Sequence, residues 1–190
     1  MNRAVFLDKD GTLIPDIPYN IDTDKITLEQ NSIDGLRQLQ KHNYLIIVVS
    51  NQSGVALGYF DEVSLENVKD KLQELLLEES IILNGFYYCP HHAEGTVSEY
   101  TKVCNCRKPM PGMLMEAAKD WNIDLSLSWM IGDILNDVEA GNTAGCNSIL
   151  VDNGNETEWL TGLNRHPLYT VKNINEAASQ ILNHQPHVVG

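Results

Sequence analysis

Two aspartates stand two residues apart in Leu7-Asp8-Lys9-Asp10-Gly11-Thr12, directly after the apolar run Ala4–Leu7. Carboxylates so close repel each other unless a cation or a shared proton compensates. Magnesium suits such a pair, because it takes oxygen ligands and keeps some of its waters. With a phosphate ester bound, the cation would neutralise charge on the phosphoryl oxygens. One carboxylate would then attack phosphorus while the other passes protons. Alone, the hexapeptide reads equally well as a strand-end turn, with Asp8 and Asp10 bonded to local amides and Gly11 supplying the bend.

Three later clusters carry matching chemistry. Ser50-Asn51-Gln52-Ser53-Gly54 offers hydroxyl, amide and backbone N–H donors to a phosphate. Lys108, between Arg107 and Pro109, is a cation for a phosphoryl group. Gly132-Asp133-Ile134-Leu135-Asn136-Asp137 sets a second pair of acids four apart, where one can reach a metal. Each has an ordinary reading by itself: a polar loop, a solvated lysine, a helix start with acids in its first turn.

A different metal chemistry is written in Tyr87-Tyr88-Cys89-Pro90-His91-His92 and Cys104-Asn105-Cys106-Arg107-Lys108-Pro109. Three thiolates and one imidazole complete a tetrahedral zinc site with no position left open for catalysis. A Cys-x-Cys pair rarely bridges itself, and a long polar insertion without a core needs a staple. Zinc held by Cys89, His91, Cys104 and Cys106 is therefore expected as a structural ion. Spacing alone leaves His91 and His92 as alternatives. The loop ends two residues before Lys108, so its folding positions Arg107 and Lys108. Cys146 stands apart from the cluster.

Positioning these groups takes strands whose ends meet. Ala4–Leu7, Tyr44–Val49, Phe86–Cys89, Trp129–Ile131 and Ser148–Val151 read as short, continuously apolar strands. Between them, helical spacing appears after Ser32 (Ile33, Leu36, Leu39) and after Asp61 or Ser64 (Leu65, Val68, Leu72, Leu75, Leu76). Further helices are predicted from Pro111 to about Trp121, over Asp137–Thr143 and over Asn175–Leu182. Alternation of continuous strands with helices predicts an α/β three-layer sandwich around a mainly parallel sheet. In such a sheet the site lies at the carboxyl ends of the strands, and Asp8, Asp10, Ser50, Asn51 and Asp133 all follow strand-like runs. One domain over 1–190 is expected, with an insertion at about 89–109.

The formal net charge is −13. That argues against nucleic acid, which calls for a basic face, but not against an anionic small molecule beside a bound metal. No apolar run approaches the length of a membrane span, and Met1-Asn2-Arg3 leads straight into a strand. A cytoplasmic monomer with neither membrane nor nucleic acid as a partner is expected.

In order and chemistry the four clusters resemble the haloacid dehalogenase-like (HAD) phosphatase superfamily, whose pattern is Asp-x-Asp-Gly-Thr, a Ser/Thr after a second strand, a Lys and Gly-Asp-x-x-x-Asp. The resemblance implies a HAD/Rossmann-like fold without a large cap domain. It implies that Asp8 is the nucleophile and forms an aspartyl-phosphate, and that Asp10 is the acid–base residue. Asp8, the Asp10 carbonyl and Asp133 would hold Mg2+. Ser50 and Lys108 would stabilise the transferring phosphoryl group, and Asp137 would orient Lys108 or the metal ligands. With its cysteine loop, the chain resembles the branch of that family acting on heptose bisphosphates, which supply nucleotide-activated heptose for lipopolysaccharide or S-layer precursors. Asp16, Ile17, Pro18, Tyr19, Ser50, Asn51, Gln52, Ser53, Arg107 and Lys108 would contact such a sugar phosphate, Arg107 meeting the second phosphate. Several members carry Lys where this chain has Ile134, a departure at the substrate side.

Three rivals are distinguishable. Histidinol-phosphate phosphatase shares the core and a related zinc loop, but the twelve residues between His91 and Cys104 are long for that branch. A DNA 3′-phosphatase lacks its basic footprint here. A non-enzymatic receiver-like phospho-acceptor has no use for Asp10 or for a zinc loop beside Lys108.

Overall fold

The structure, a computed structural model, describes residues 1–184. In chain order its elements are β1 (Arg3–Leu7), α1 (Ile33–Lys41), β2 (Tyr44–Asn51), α2 (Glu62–Glu78), β3 (Leu83–Cys89), α3 (Gly112–Asp120), β4 (Trp129–Gly132), α4 (Leu135–Ala144), β5 (Asn147–Val151), β6 (Tyr169–Val171) and α5 (Ile174–Asn183). Short 3-10 turns lie at Thr23–Lys25 and Leu125–Leu127.

The strands form one sheet in the order β3-β2-β1-β4-β5-β6, every pairing parallel. Side chains alternate faces along each strand. Val5, Leu7, Ile46, Val48, Trp129 and Ile131 join one core with α1, α2 and α5. Ala4, Phe6, Ile47, Val49 and Met130 join the other, with α3 and Ala140 of α4. Both faces are covered, so the central strands are apolar throughout. The three-layer, HAD/Rossmann-like expectation holds.

Element ends differ in instructive ways. Ser50 and Asn51 are the last residues of β2 rather than the loop behind it. Asp61, not Ser64, caps α2 and accepts from the Ser64 N–H. Ser32 precedes α1 without capping it, because its hydroxyl donates to Glu29 O at 2.5 Å. Pro111 is itself the residue before the first turn of α3. α4 starts at Leu135, since Asp137 folds back on the Ile134 N–H as a third-position acid would. β6 was not foreseen: three residues with Thr170 exposed between Tyr169 and Val171 carry almost no periodic signal.

Candidate active site

β1 and β4 lie side by side, with Leu7 opposite Ile131. The chain therefore releases Asp8 and Asp133 at the same edge of the sheet, and the Asp8 N–H still bonds Ile131 O at 2.9 Å. Asp137 comes from the first turn of α4, and the Asp8, Asp133 and Asp137 carboxylates gather within 4.8 Å. All three are buried. Two glycines make room. A Cβ on Gly132 would overlap the Asp137 carboxylate, and one on Gly11, whose φ is +84°, would overlap Asp133 Oδ2.

Lys108 enters from the other side, almost fully buried. Its ammonium donates to Asp8 Oδ1 and to Val49 O at 2.9 Å, and lies 2.7 Å from Asp137 Oδ1. That last contact is an ion pair without hydrogen-bond alignment, so Asp137 Oδ1 has no hydrogen-bond donor. Burial opposes the Lys108 charge, yet Asp137 and Asp8 outweigh it and hold its pKa above the ordinary lysine range. Burial, above all, raises Asp8 well over the usual carboxylate range, with Lys108 pulling down and Asp137, Asp133 and Asp10 pushing further up. Burial and then Asp137 push Asp133 to about 6, against hydrogen bonds from Asn155 and Thr12. Three carboxylates against one ammonium leave an excess of negative charge in a dry site. An all-oxygen set of three carboxylates with one ammonium among them fits a hard divalent cation.

Asp10 is not part of that carboxylate group. Its side chain, half-buried, accepts from Lys9 Nζ at 2.6 Å and from Gln52 Nε2 at 3.2 Å. Gln52 also donates to the buried Ser50 hydroxyl at 2.7 Å, so it spans the two. Asn51 uses both ends of its amide on Lys108: Nδ2 donates to its carbonyl at 3.1 Å and Oδ1 accepts its N–H at 3.0 Å. A cleft of about 270 Å³ opens beside these groups, lined by Lys9, Asp10, Asp16, Pro18, Tyr19, Asn51, Gln52 and Ser53 among others. That is a small-molecule space. Ile17 and Arg107 are not in its lining; Arg107 donates a long 3.4 Å bond to His91 O. A roomier depression of about 650 Å³ between Thr23–Lys25 and α2 is fringed by Asp22, Asp24, Asp70 and Glu74 with Lys71 as its cation, a poor environment for phosphate.

Cys89, the last residue of β3, meets Cys104, Cys106 and His91. Their ligand atoms all lie within 4.8 Å of one another, with Cys89 Sγ 2.6 Å from Cys106 Sγ, 3.4 Å from Cys104 Sγ and 3.7 Å from His91 Nδ1. His92 faces elsewhere, its Nδ1 accepting the Glu94 N–H at 3.1 Å. The cysteines are all free, and hydrogen bonding with Cys89 brings Cys106 down to about 5. One thiolate-prone sulfur in a cluster of three sulfurs and an imidazole fits zinc. The insertion is tied down around this cluster. Tyr88 and Tyr100 hydroxyls both donate to Glu62 at 3.0 and 2.6 Å, and Ala56 O accepts from Thr96 and Val97. Cys146 lies elsewhere, its thiol pushed up to about 12 by burial alone.

Several participants escaped sequence reading. Lys9, Thr12, Asn153 and Asn155 all touch the site. Thr12 Oγ1 donates to Asp133 Oδ1 at 3.2 Å, and Asn155 Nδ2 to Asp133 Oδ2 at 2.6 Å. Lys9 and Thr12 sit inside the first motif and were legible from position. The asparagines lie in an aperiodic loop that points nowhere in sequence.

Comparison with known proteins places this geometry. The family model described as HAD-hydrolase-like matches residues 105–177. The D-glycero-β-D-manno-heptose-1,7-bisphosphate 7-phosphatase of Pasteurella multocida is 44% identical over 155 residues, covering 81% of this chain and 84% of its own. The Escherichia coli K12 protein of that name is 41% identical over 83% of this chain and 87% of its own. The crystal structure of D,D-heptose 1,7-bisphosphate phosphatase from B. bronchiseptica, complexed with magnesium and phosphate, superimposes with a TM-score of 0.81 at 28% identity, over 95% of this chain and 98% of that one. The chain belongs to the haloacid dehalogenase-like hydrolase family and is one of its phosphatases, a phosphoric monoester hydrolase.

Proposed function

We propose that this phosphatase removes the 7-phosphate of D-glycero-D-manno-heptose 1,7-bisphosphate, the β anomer preferred, on the way to nucleotide-activated heptose. The observation that carries the reading is the meeting of Asp8, Asp133, Asp137 and Lys108 at one sheet edge, beside a cleft of about 270 Å³. Relatives above 40% identity that bear the β-anomer name support the substrate.

Asp8, Asp133 and the Asp10 carbonyl would hold magnesium, with Asp137 close by; bound there, the ion neutralises charge on the phosphoryl oxygens. Asp8 attacks phosphorus through a carboxylate oxygen, and the bond from phosphorus to the sugar oxygen breaks. Asp10 gives that oxygen its proton, then takes one from the water that attacks the aspartyl-phosphate. Inorganic phosphate leaves and Asp8 is restored. Lys108 and the Ser50 hydroxyl carry phosphoryl charge through both steps. Asp16, Ile17, Pro18, Tyr19 and Asn51–Ser53 hold the sugar. Arg107, loosely tied and beside Lys108, swings to the second phosphate. The Cys89–His91–Cys104–Cys106 cluster holds structural zinc and sets that corner of a one-domain chain.

A side-by-side assay of both heptose bisphosphate anomers and histidinol phosphate tests this. The β anomer is expected to have the highest kcat/KM, with the phosphorus signal at C7 lost and that at C1 kept. Preference for histidinol phosphate would overturn the substrate.

A further inference from the structure

After β5 the chain turns back over the start of α4 and sends three polar side chains inward. Asn153 Nδ2 donates to Gly11 O, Asn155 Nδ2 donates to Asp133 Oδ2, and Glu156 Oε2 accepts the Leu135 N–H, each at 2.6 Å. The far end of this strap is anchored separately. Arg165 donates to Asn136 Oδ1 at 2.9 Å and Glu139 Oε2 at 2.6 Å, and Asn142 donates to the Asn164 and His166 carbonyls. Only Asn155 reaches the carboxylate group.

Asp133 thereby has a donor on each oxygen: Thr12 Oγ1 on Oδ1 at 3.2 Å and Asn155 on Oδ2. Gly11 packs flat against the second pair, for a Cβ there would overlap both Asp133 Oδ2 and Asn155 Nδ2. A neutral N–H suits this place. It fixes the carboxylate without cancelling the charge a cation needs, whereas a lysine would compete with the ion. Donors behind a ligating carboxylate commonly govern how well it holds a metal.

We propose that Asn155 is a positioning residue for the magnesium site, its amide holding the Asp133 carboxylate in the orientation that faces Asp8 and Asp137. This rests on the reading of Asp8 and Asp133 as magnesium-holding. The strap couples the loop behind β5 to the metal, so that a residue remote in sequence sets metal affinity.

The test is calorimetric titration of MgCl2 into the substrate-free protein, for wild type, Asn155→Ala, the near-isosteric Asn155→Leu, and Arg165→Ala. Thermal melts report folding. Both Asn155 variants are expected to bind magnesium about tenfold to hundredfold more weakly. At saturating magnesium their kcat should return close to wild type. Arg165→Ala, which frees only the far anchor, should bind magnesium as wild type does. Unchanged magnesium affinity in a folded Asn155 variant overturns the proposal, even where the melting temperature falls. Equal weakening by Arg165→Ala also overturns it, since docking of the strap rather than the amide would then be responsible. A wild-type protein with no magnesium isotherm overturns the metal reading itself, and the proposal with it.

Discussion

Asp10 is set apart from its neighbour two residues away by the company it keeps. Asp8 faces Lys108 among buried acids, while Asp10 lies at the cleft between Lys9 and Gln52. That division suits a nucleophile and a proton carrier. Asp10→Asn is expected to lower kcat by about 10²–10⁴-fold, the usual worth of general acid–base catalysis, with little change in magnesium affinity. A pre-steady-state assay with a separate magnesium titration checks both. Asp133 gives a pH dependence of definite sign. Its carboxyl is raised to about 6 in the metal-free protein, so the folded chain binds that proton more tightly than the unfolded chain does. This group's contribution to metal-free stability is present below the usual carboxylate range and is lost as pH rises through about 6. Magnesium must displace the proton below that value and relieves the repulsion above it. The rise in melting temperature on adding MgCl2 is therefore expected to be larger at pH 7.5 than at pH 5. An equal rise at both would contradict the shift. These residues were legible in sequence because the acid pair stands in order with Ser50, Lys108 and Gly132-Asp133-x-x-x-Asp137; by itself the pair reads equally well as a turn. Asn155 was not, because nothing in Asn153-Gly154-Asn155-Glu156 marks a contact made to Asp133 across 22 residues.

At the scale of elements, the cysteine loop and β2 converge on Lys108. β2 supplies Asn51, whose amide grips the Lys108 backbone from both sides, and the insertion supplies the chain that ends there. The loop's cluster begins on Cys89 at the end of β3, and Gln52 N bonds Cys89 O at 2.8 Å, so the same strands carry both sites. Removing the staple should disturb the catalytic corner without unfolding the sheet. Cys106→Ala is expected to lose zinc and to lower kcat by about 10²-fold through misplacement of Lys108. Metal analysis with turnover at saturating magnesium checks this, and full activity without zinc would contradict it. The strands and longer helices were readable because continuous β-branched runs and a 3.6-residue period carry their own signal. Their ends were less so. Whether Asp61 or Ser64 caps α2 depends on which side chain reaches an N–H, and β6 is held by its Ile149–Tyr169 to Val151–Val171 pairing rather than by pattern.

The whole molecule is acidic, with a net charge of −13. Its field opposes the approach of the bisphosphate proposed as substrate. Raising KCl at saturating magnesium should screen that repulsion and increase kcat/KM, the opposite sign to the fall shown by proteins that gather anions on a basic face. A fall with salt would point to a cationic approach path that the charge distribution does not provide. The site's own charges gather at one sheet edge, where Asp8 and Asp133 follow β1 and β4, Asp137 comes from α4 and Lys108 Nζ reaches Val49 O of β2. No helix among the described residues is long and apolar enough to cross a membrane.

Everything turns on Asp8 carrying the phosphoryl group. Mixing wild type and Asp10→Asn with the β-heptose bisphosphate, quenching in acid within the first turnover and mapping peptides by mass is the most direct measurement. One phosphoryl group on Asp8, lost at the rate phosphate appears, is the expected result. Phosphate released with a phosphoryl group on another residue, or on none in either protein, would contradict the account.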